Sequence, residues 1–317
     1  MILLELSGGL GNQLFEYAMA RALLEKVRVH KPQEKITLLL NRYEKDPQRN
    51  YSLRPFAIQD SVSYIVDWKQ KVLALYFKAK KHLVMRLCTD SSERIHGEKN
   101  FSILTGHGML CTTDVFDFYP YEIPKQKVKY VYGNFQSYFY FQEIEDILRK
   151  ELKIEESALK VDKTLREYVN SSNSVAVHIR RGDYLSSEWS KSLNVCDEAY
   201  YVKAMEHILA NVEAPVFFVF SNGKEDLEWI KQNMKLPGDI VYVDQNGSEI
   251  DDFQLMSECK HHIISNSTYS WWTSFLADSE DKIVVAPKEW YRTKDQQAKD
   301  IYLDSWTLID VGKENEG

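Results

Sequence analysis

Cysteine is scarce in this chain, and the four that occur, Cys88, Cys111, Cys196 and Cys259, form no CxxC pair. A disulfide framework and a zinc ribbon are thereby excluded, and all four read as free thiols. No apolar run approaches the length that crosses a bilayer. The opening residues MILLELSGG lack a basic start and turn polar too early for a secretory signal, so a cytoplasmic protein is expected. Positive charge is short as well: 40 Lys and Arg against 47 Asp and Glu leave a formal net charge of −7. That balance argues against a general nucleic-acid binder, although it permits a local basic pocket for an anionic substrate. No Asp-x-Asp occurs anywhere. The close carboxylate pair that can hold a divalent cation against a nucleotide is therefore missing, and no metal is expected.

The chain has 317 residues, 44% hydrophobic and 27% charged, which suits a soluble globular protein of two domains. Its second half alternates strand and helix. Strands are predicted near 174–180, 215–220, 240–243, 261–264 and 282–286, with helices near 197–211, 224–234, 250–259 and 268–277. Such a βαβα series builds a parallel, doubly wound, Rossmann-like sheet. The first half opens the same way, with the strand ILLEL, a glycine turn, a helix over 12–27 and a strand at 36–40. It then loosens into a long helix at 67–88, a loop-rich stretch from 89 to 125, a strand near 129–132 and helices near 137–150 and 157–170. The polar segment 170–174 is the best hinge, giving domains of 1–170 and 171–317.

Residues 174–184 read SVAVHIRRGDY, an apolar strand that ends in His178, Arg180, Arg181 and Asp183. These polar groups sit at the carboxyl end of a buried parallel strand, the rim where open α/β sheets hold ligands. Arginine is always charged and presents a planar fork of donors, so a guanidinium here suits a phosphate. Alternation along the strand sends His178 and Arg180 to one face and Arg181 to the other. Arg180 is assigned to the ligand. For Arg181 two readings stand: a ligand contact, or a structural ion pair with a carboxylate such as Asp183.

Two further turns converge on the same chemistry. Ser265, Asn266, Ser267 and Thr268 follow the strand HHII and precede the apolar helix WWTSFLAD; small hydroxyl and amide residues there cap a helix, and serve a phosphate equally well. Ser221 and Asn222 lie in the turn after the strand PVFFVF. In the first half, Gly11, Asn12 and Gln13 close the turn SGGLGNQ before the first helix. That turn reads as an anion site, a structural turn or a dinucleotide fingerprint. Against the last, Leu14 stands where a third glycine belongs, and Asn41 and Arg42 follow the second strand where a ribose-binding carboxylate is expected. Asp251 and Asp252 open a helix, where capping is the expected role.

Residues 68–86, WKQKVLALYFKAKKHLVMR, interleave basic and apolar side chains at helical spacing. They read either as a helix packed on its own domain or a partner, or as one lying on an anionic membrane surface, which would place the protein peripherally at the inner membrane face.

The segments GGLGNQLFEYAMARAL, VHIRRGDY and ISNSTYSWWTSFLA, in this order, resemble the α-1,2-fucosyltransferases of glycosyltransferase family 11. The resemblance spans nearly the whole chain, although residues 43–130 match nothing recognisable. It implies a GT-B architecture of two Rossmann-like domains facing a cleft, the first on the acceptor side and the second binding GDP-β-L-fucose. It also implies metal-independent transfer, with inversion, to O2 of a terminal β-galactose in surface-glycan synthesis of the bacterial type, with no cofactor. By resemblance Arg180 holds the β-phosphate, His178 lies against the guanosine, Ser267 and Thr268 bind phosphate oxygens, and the Gly11-Asn12 turn approaches the diphosphate. Asp183 is the candidate general base; a structural pairing, or proton loss without a strong base, is the alternative. Another nucleotide-sugar donor, another fucosyl linkage, a non-enzymatic glycan-binding protein and an NAD(P)-dependent oxidoreductase complete the set of readings.

Overall fold

A computed structural model of the chain describes residues 1–40, 43, 50–65, 67–88, 97–181, 195–244, 248–292, 298 and 300–311. The chain divides into two compact units, Met1–Glu155 with Lys299–Tyr302, and Glu156–Ala298 with Leu303–Gly317.

The first unit is a five-stranded parallel sheet in the order β3-β2-β1-β5-β4, with β1 at Ile2–Glu5, β2 at Ile36–Leu39, β3 at Val62–Tyr64, β4 at Met109–Cys111 and β5 at Lys129–Tyr132. Its first helix, α1, begins at Leu10 and runs to Arg28, so Gly11, Asn12 and Gln13 form its first turn rather than a loop. Helix α2, Asp67–Cys88, packs Phe77, Val84 and Met85 on the sheet beside Leu3, Leu39 and Tyr130. The stretch expected to be loop holds α3, Gly97–Gly106, as well as β4. Conversely, the helix expected over 137–150 breaks into two short 3₁₀ turns and only then the α-helix α4, Glu145–Glu151. Aromatic packing accounts for the break, since Tyr138, Tyr140 and Phe141 each turn into ring contacts that no single helix face could serve.

One buried network ties α1 to α4 and to the approach to β3. Arg21 Nε donates to both carboxylate oxygens of Glu151 at 2.8 and 3.0 Å, while Tyr17 Oη at 2.5 Å and Ser61 Oγ at 2.9 Å donate to the same group. Only 4% of the Arg21 side chain is exposed, so its charge depends on Glu151 and on Glu25, which accepts from its Nη1 at 2.5 Å.

The second unit is a six-stranded parallel sheet in the order β11-β10-β9-β6-β7-β8. Its strands are β6 (Asn173–His178), β7 (Pro215–Phe220), β8 (Asp239–Tyr242), β9 (His261–Ile263), β10 (Val284–Pro287) and β11 (Thr307–Ile309). The period of two predicted for buried strands is visible in the core. Val175, Val177, Phe217 and Val219 pack under α6 (Glu198–Asn211) and α7 (Lys224–Asn233), whereas Ala176, Phe218 and Phe220 face α5 (Lys163–Ser171) and α8 (Glu249–Glu258). The sheet is therefore doubly wound. Its order reverses at β6: the chain proceeds outward through β7 and β8, then returns to lay β9 on the other side. The crevice at such a reversal, outside the carboxyl ends of the strands, is where open α/β sheets bind ligands. All four cysteines are unbridged. Among the described residues no helix is long and apolar enough to cross a membrane.

Truncating Glu151 to Ala would leave the buried Arg21 guanidinium with Glu25 as its ion-pair partner and its Nε–H without an acceptor, and a buried donor deprived of its partner costs about 1–3 kcal/mol. Urea denaturation should show that loss, whereas a change within about 0.5 kcal/mol, typical of surface sites, would place the pair outside the stabilising core.

Candidate functional site

The chemistry gathers at the carboxyl ends of β6 and β9. His178, the last residue of β6, is buried, and its Nδ1 lies 3.0 Å from Ser265 Oγ in the turn after β9. Two residues further on, Arg180 donates from Nη1 to Ser267 Oγ at 3.3 Å. The strand-end and turn residues singled out from sequence are thus brought together as two cross-turn pairs. Burial, with the Arg180 charge beside it, holds the His178 imidazole down to about 3, so near neutrality it is an uncharged ring.

Ser267 is the N-cap of α9 (Thr268–Leu276), but its side chain makes no capping hydrogen bond. The hydroxyl accepts from Arg180 instead. The first turn of α9 contains no acidic residue, whereas α7 carries Glu225 and Asp226 and α8 carries Glu249, Asp251 and Asp252 in theirs. An anion placed at α9 therefore meets the positive end of the helix dipole and a guanidinium, with no carboxylate in that turn to repel it. Asn266 holds the turn itself, its amide donating to the Trp290 carbonyl at 2.9 Å. Thr268 opens the helix, half-buried.

Arg181 goes the other way. Its guanidinium lies over the Trp229 ring, 3.1 Å from the centroid, and its Nε is 3.6 Å from an Asp226 carboxylate oxygen. Both partners stand on α7, at i and i+3 on one helical face. Burial lowers the guanidinium's pKa and Asp226 opposes the shift. The ion-pair reading of Arg181 thus acquires a definite carboxylate, Asp226. Asp183 lies outside the described residues, as do Asn41 and Arg42.

Ser221 and Asn222 brace the end of β6. Ser221 Oγ donates to the Ile179 carbonyl at 2.7 Å, and Asn222 Oδ1 accepts from the Arg181 backbone N–H at 3.2 Å. Their side chains fix the backbone on either side of Arg180.

In the first unit, Gly8 takes φ +71°, and a Cβ there would meet the Asn12 amide nitrogen at 2.6 Å, so only glycine fits this turn. Asn12 Oδ1 accepts from Gln136. The buried Gln13 amide is spent on backbone: Nε2 donates to the Gly8 and Asn50 carbonyls, and Oε1 accepts from Ser52 N–H. A buried carboxylate that sequence reasoning missed, Glu16, accepts from both the N–H and the hydroxyl of Ser7. Its place one turn into the helix after a Ser-Gly-Gly turn was the available signal.

The expected capping by Asp251 and Asp252 is not what the structure has. Ser248 caps α8 by accepting from Asp251 N–H, and the Asp251 carboxylate accepts from Lys160 N–H at 2.7 Å. A serine three residues ahead supplies better cap geometry than a carboxylate already inside the first turn. Asp252 is half-buried with a shielded Oδ1 that has no hydrogen-bond partner among the described residues. Burial, with Asp251 and Asp244 adding repulsion, pushes it up to about 7. Tyr269 stands beside this carboxylate and lays its ring against His178, at 5.7 Å between centroids.

Because the folded pKa of Asp252 is raised, the native state holds a proton that the unfolded chain has released between about pH 4 and pH 7. The group's contribution to stability declines as pH rises through that window. Asp252→Asn should raise the melting temperature progressively from about pH 5 to about pH 8. An equal gain at both ends would mean that the carboxylate is ionised throughout.

The sequence model of the family described as Glycosyl transferase family 11 matches residues 1–310. An α-1,2-colitosyltransferase from Escherichia coli is 29% identical over 322 residues, spanning 98% of this chain and 99% of its own. Galactoside α-(1,2)-fucosyltransferase 1 from Homo sapiens is 38% identical over 112 residues, 33% of this chain and 29% of its own. Among solved structures, the selenomethionine form of the fucosyltransferase NodZ from Bradyrhizobium superposes with a TM-score of 0.50 at 13% identity, covering 87% of this chain and 91% of that one. At that identity the likeness is one of fold, the GT-B type.

Proposed function

The chain belongs to glycosyl transferase family 11, and from that premise we propose that it transfers L-fucose from GDP-β-L-fucose, with inversion and without a divalent metal, to the 2-hydroxyl of a terminal β-galactose. The observation that carries the reading is the pairing of Arg180 with Ser267 at the topological reversal of the second sheet. In an inverting displacement the acceptor oxygen bonds to C1 of the sugar as the bond from C1 to the β-phosphate oxygen breaks. The electron pair leaves with the diphosphate, and the acceptor hydroxyl gives up its proton. Negative charge grows on the β-phosphate as the sugar becomes oxocarbenium-like. Arg180 and the N-terminus of α9 oppose that growing charge, and groups already in place stabilise the transition state more than the ground state. The neutral, buried His178 ring adds no second charge to the site and is held between Ser265 and Tyr269.

The full-length likeness to a colitosyltransferase favours a second donor, the GDP derivative of colitose, a sugar equivalent to fucose without its 3-hydroxyl. Incubation with each donor and a panel of β-galactosides, with product linkage read by NMR, separates the two. A higher kcat/KM for GDP-fucose and an α-1,2 linkage support the proposal; preference for the 3-deoxy sugar overturns its donor.

Arg180→Ala should fold normally and lose about 10²–10³ in turnover, the usual effect of removing one preorganised donor. Lysine should not restore it, because a point charge cannot reproduce the planar fork. Near-normal turnover of a folded Arg180→Ala enzyme would remove Arg180 from the chemistry. Activity should also persist in excess EDTA; loss reversed by magnesium or manganese would show that a cation supplies the compensating charge.

A further inference from the structure

Helix α2 has two apolar faces, and among the described residues only one of them packs on the first sheet. Phe77, Val84 and Met85 are buried against the first sheet. On the opposite side Trp68, Val72, Leu75, Tyr76, Leu83 and Leu87 are between 56 and 72% exposed. Trp68, Val72, Leu75, Ala79 and Leu83 recur every three or four residues, which makes one continuous stripe about 23 Å long. An apolar surface of this extent is not the scattered exposure normal for a globular protein.

The charges around the stripe indicate its occupant. From Trp68 to Leu87 there are six Lys and Arg and no Asp or Glu, on a chain whose net charge is −7. At about 100° per residue, Lys71 and Lys78 fall on one flank of the stripe and Lys69 on the other, with Arg86 among the apolar residues, while the Lys80 ammonium is held by the His107 carbonyl at 2.8 Å. A second copy of this helix is a poor match, since its own cations would oppose these. An anionic lipid surface matches both features: headgroups meet the lysines, and the acyl boundary takes the apolar stripe while the long cationic side chains reach up to the phosphates. We propose that α2 is a membrane-surface helix that docks the first unit on an anionic bilayer without crossing it.

Sedimentation of the full-length protein with vesicles tests this. Binding is expected to phosphatidylcholine vesicles that contain about 30% phosphatidylglycerol, to be weak on phosphatidylcholine alone, and to fall in about 0.5 M salt. Leu75→Glu combined with Leu83→Glu should reduce binding about tenfold or more, with melting temperature and transfer to a free small galactoside unchanged. Should that variant not fold, Lys69→Gln with Lys78→Gln gives a milder test, a several-fold loss confined to low salt. Equal binding to neutral and anionic vesicles, or an undiminished double variant, overturns the proposal. So does a lipid-indifferent wild type whose concentration-dependent dimer, seen by light scattering, disappears in the leucine variant, which would make the stripe a self-association face.

Discussion

The reversal of strand order at β6 is the constraint on which the second unit depends. Where β9 is laid on the opposite side of β6 from β7, the helices on the two faces of the sheet diverge and the ends of β6 and β9 meet between them. The hydrogen bond between Ser265 Oγ and His178 Nδ1 closes the base of that gap, and the Arg180–Ser267 contact lies one step further out. The backbone that carries Arg180 is held from the other side by Ser221 and Asn222. A guanidinium fixed in this way need not reorganise when charge develops before it, the condition under which electrostatic stabilisation acts on a transition state.

Charge is distributed with the same economy. The adjacent arginines, identical in type, follow the end of β6 and turn to different partners. Arg181 is spent on Asp226 and Trp229, which anchors α7 to the strand end, while Arg180 faces the turn that opens α9. Acidic residues crowd the first turns of α7 and α8 but are absent from that of α9. The raised Asp252 and the lowered His178 share one cause, since withdrawal from water disfavours the charged form of both. Each side chain is then nearer to neutral than its type suggests.

Much of this was legible in sequence because it follows from short-range rules. Apolar runs such as SVAVHI and PVFFVF read directly as buried strands, and their alternation with helical patterns specified a parallel sheet. The segments around Arg180 and Ser267 carried both the chemistry and the family resemblance. The interval from 89 to 150 was less legible. There β4 is three residues long and aromatic side chains break a helical pattern into 3₁₀ turns, so tertiary packing decides what local propensity does not.

The sequence by itself determined eight of the eleven strands among the described residues, missing the three-residue β3, β4 and β11, together with the polar groups at the strand ends and the family, because backbone period and motif identity are local properties. Strand alternation led to the expectation that Arg180 and Arg181 part; they do part, but beyond β6, which ends at His178, so the loop and its partners rather than the pleat separate them. Only the tertiary structure decided the partners. Asp226 rather than a neighbour takes Arg181, Gln13 and Asn222 serve backbone, Ser248 rather than an aspartate caps α8, and α2 keeps a second apolar face outside the core. The physical reason is common to all of these: a side chain's partner is whatever the packed elements bring within about 3 Å, and that distance is set by residues far away in the chain.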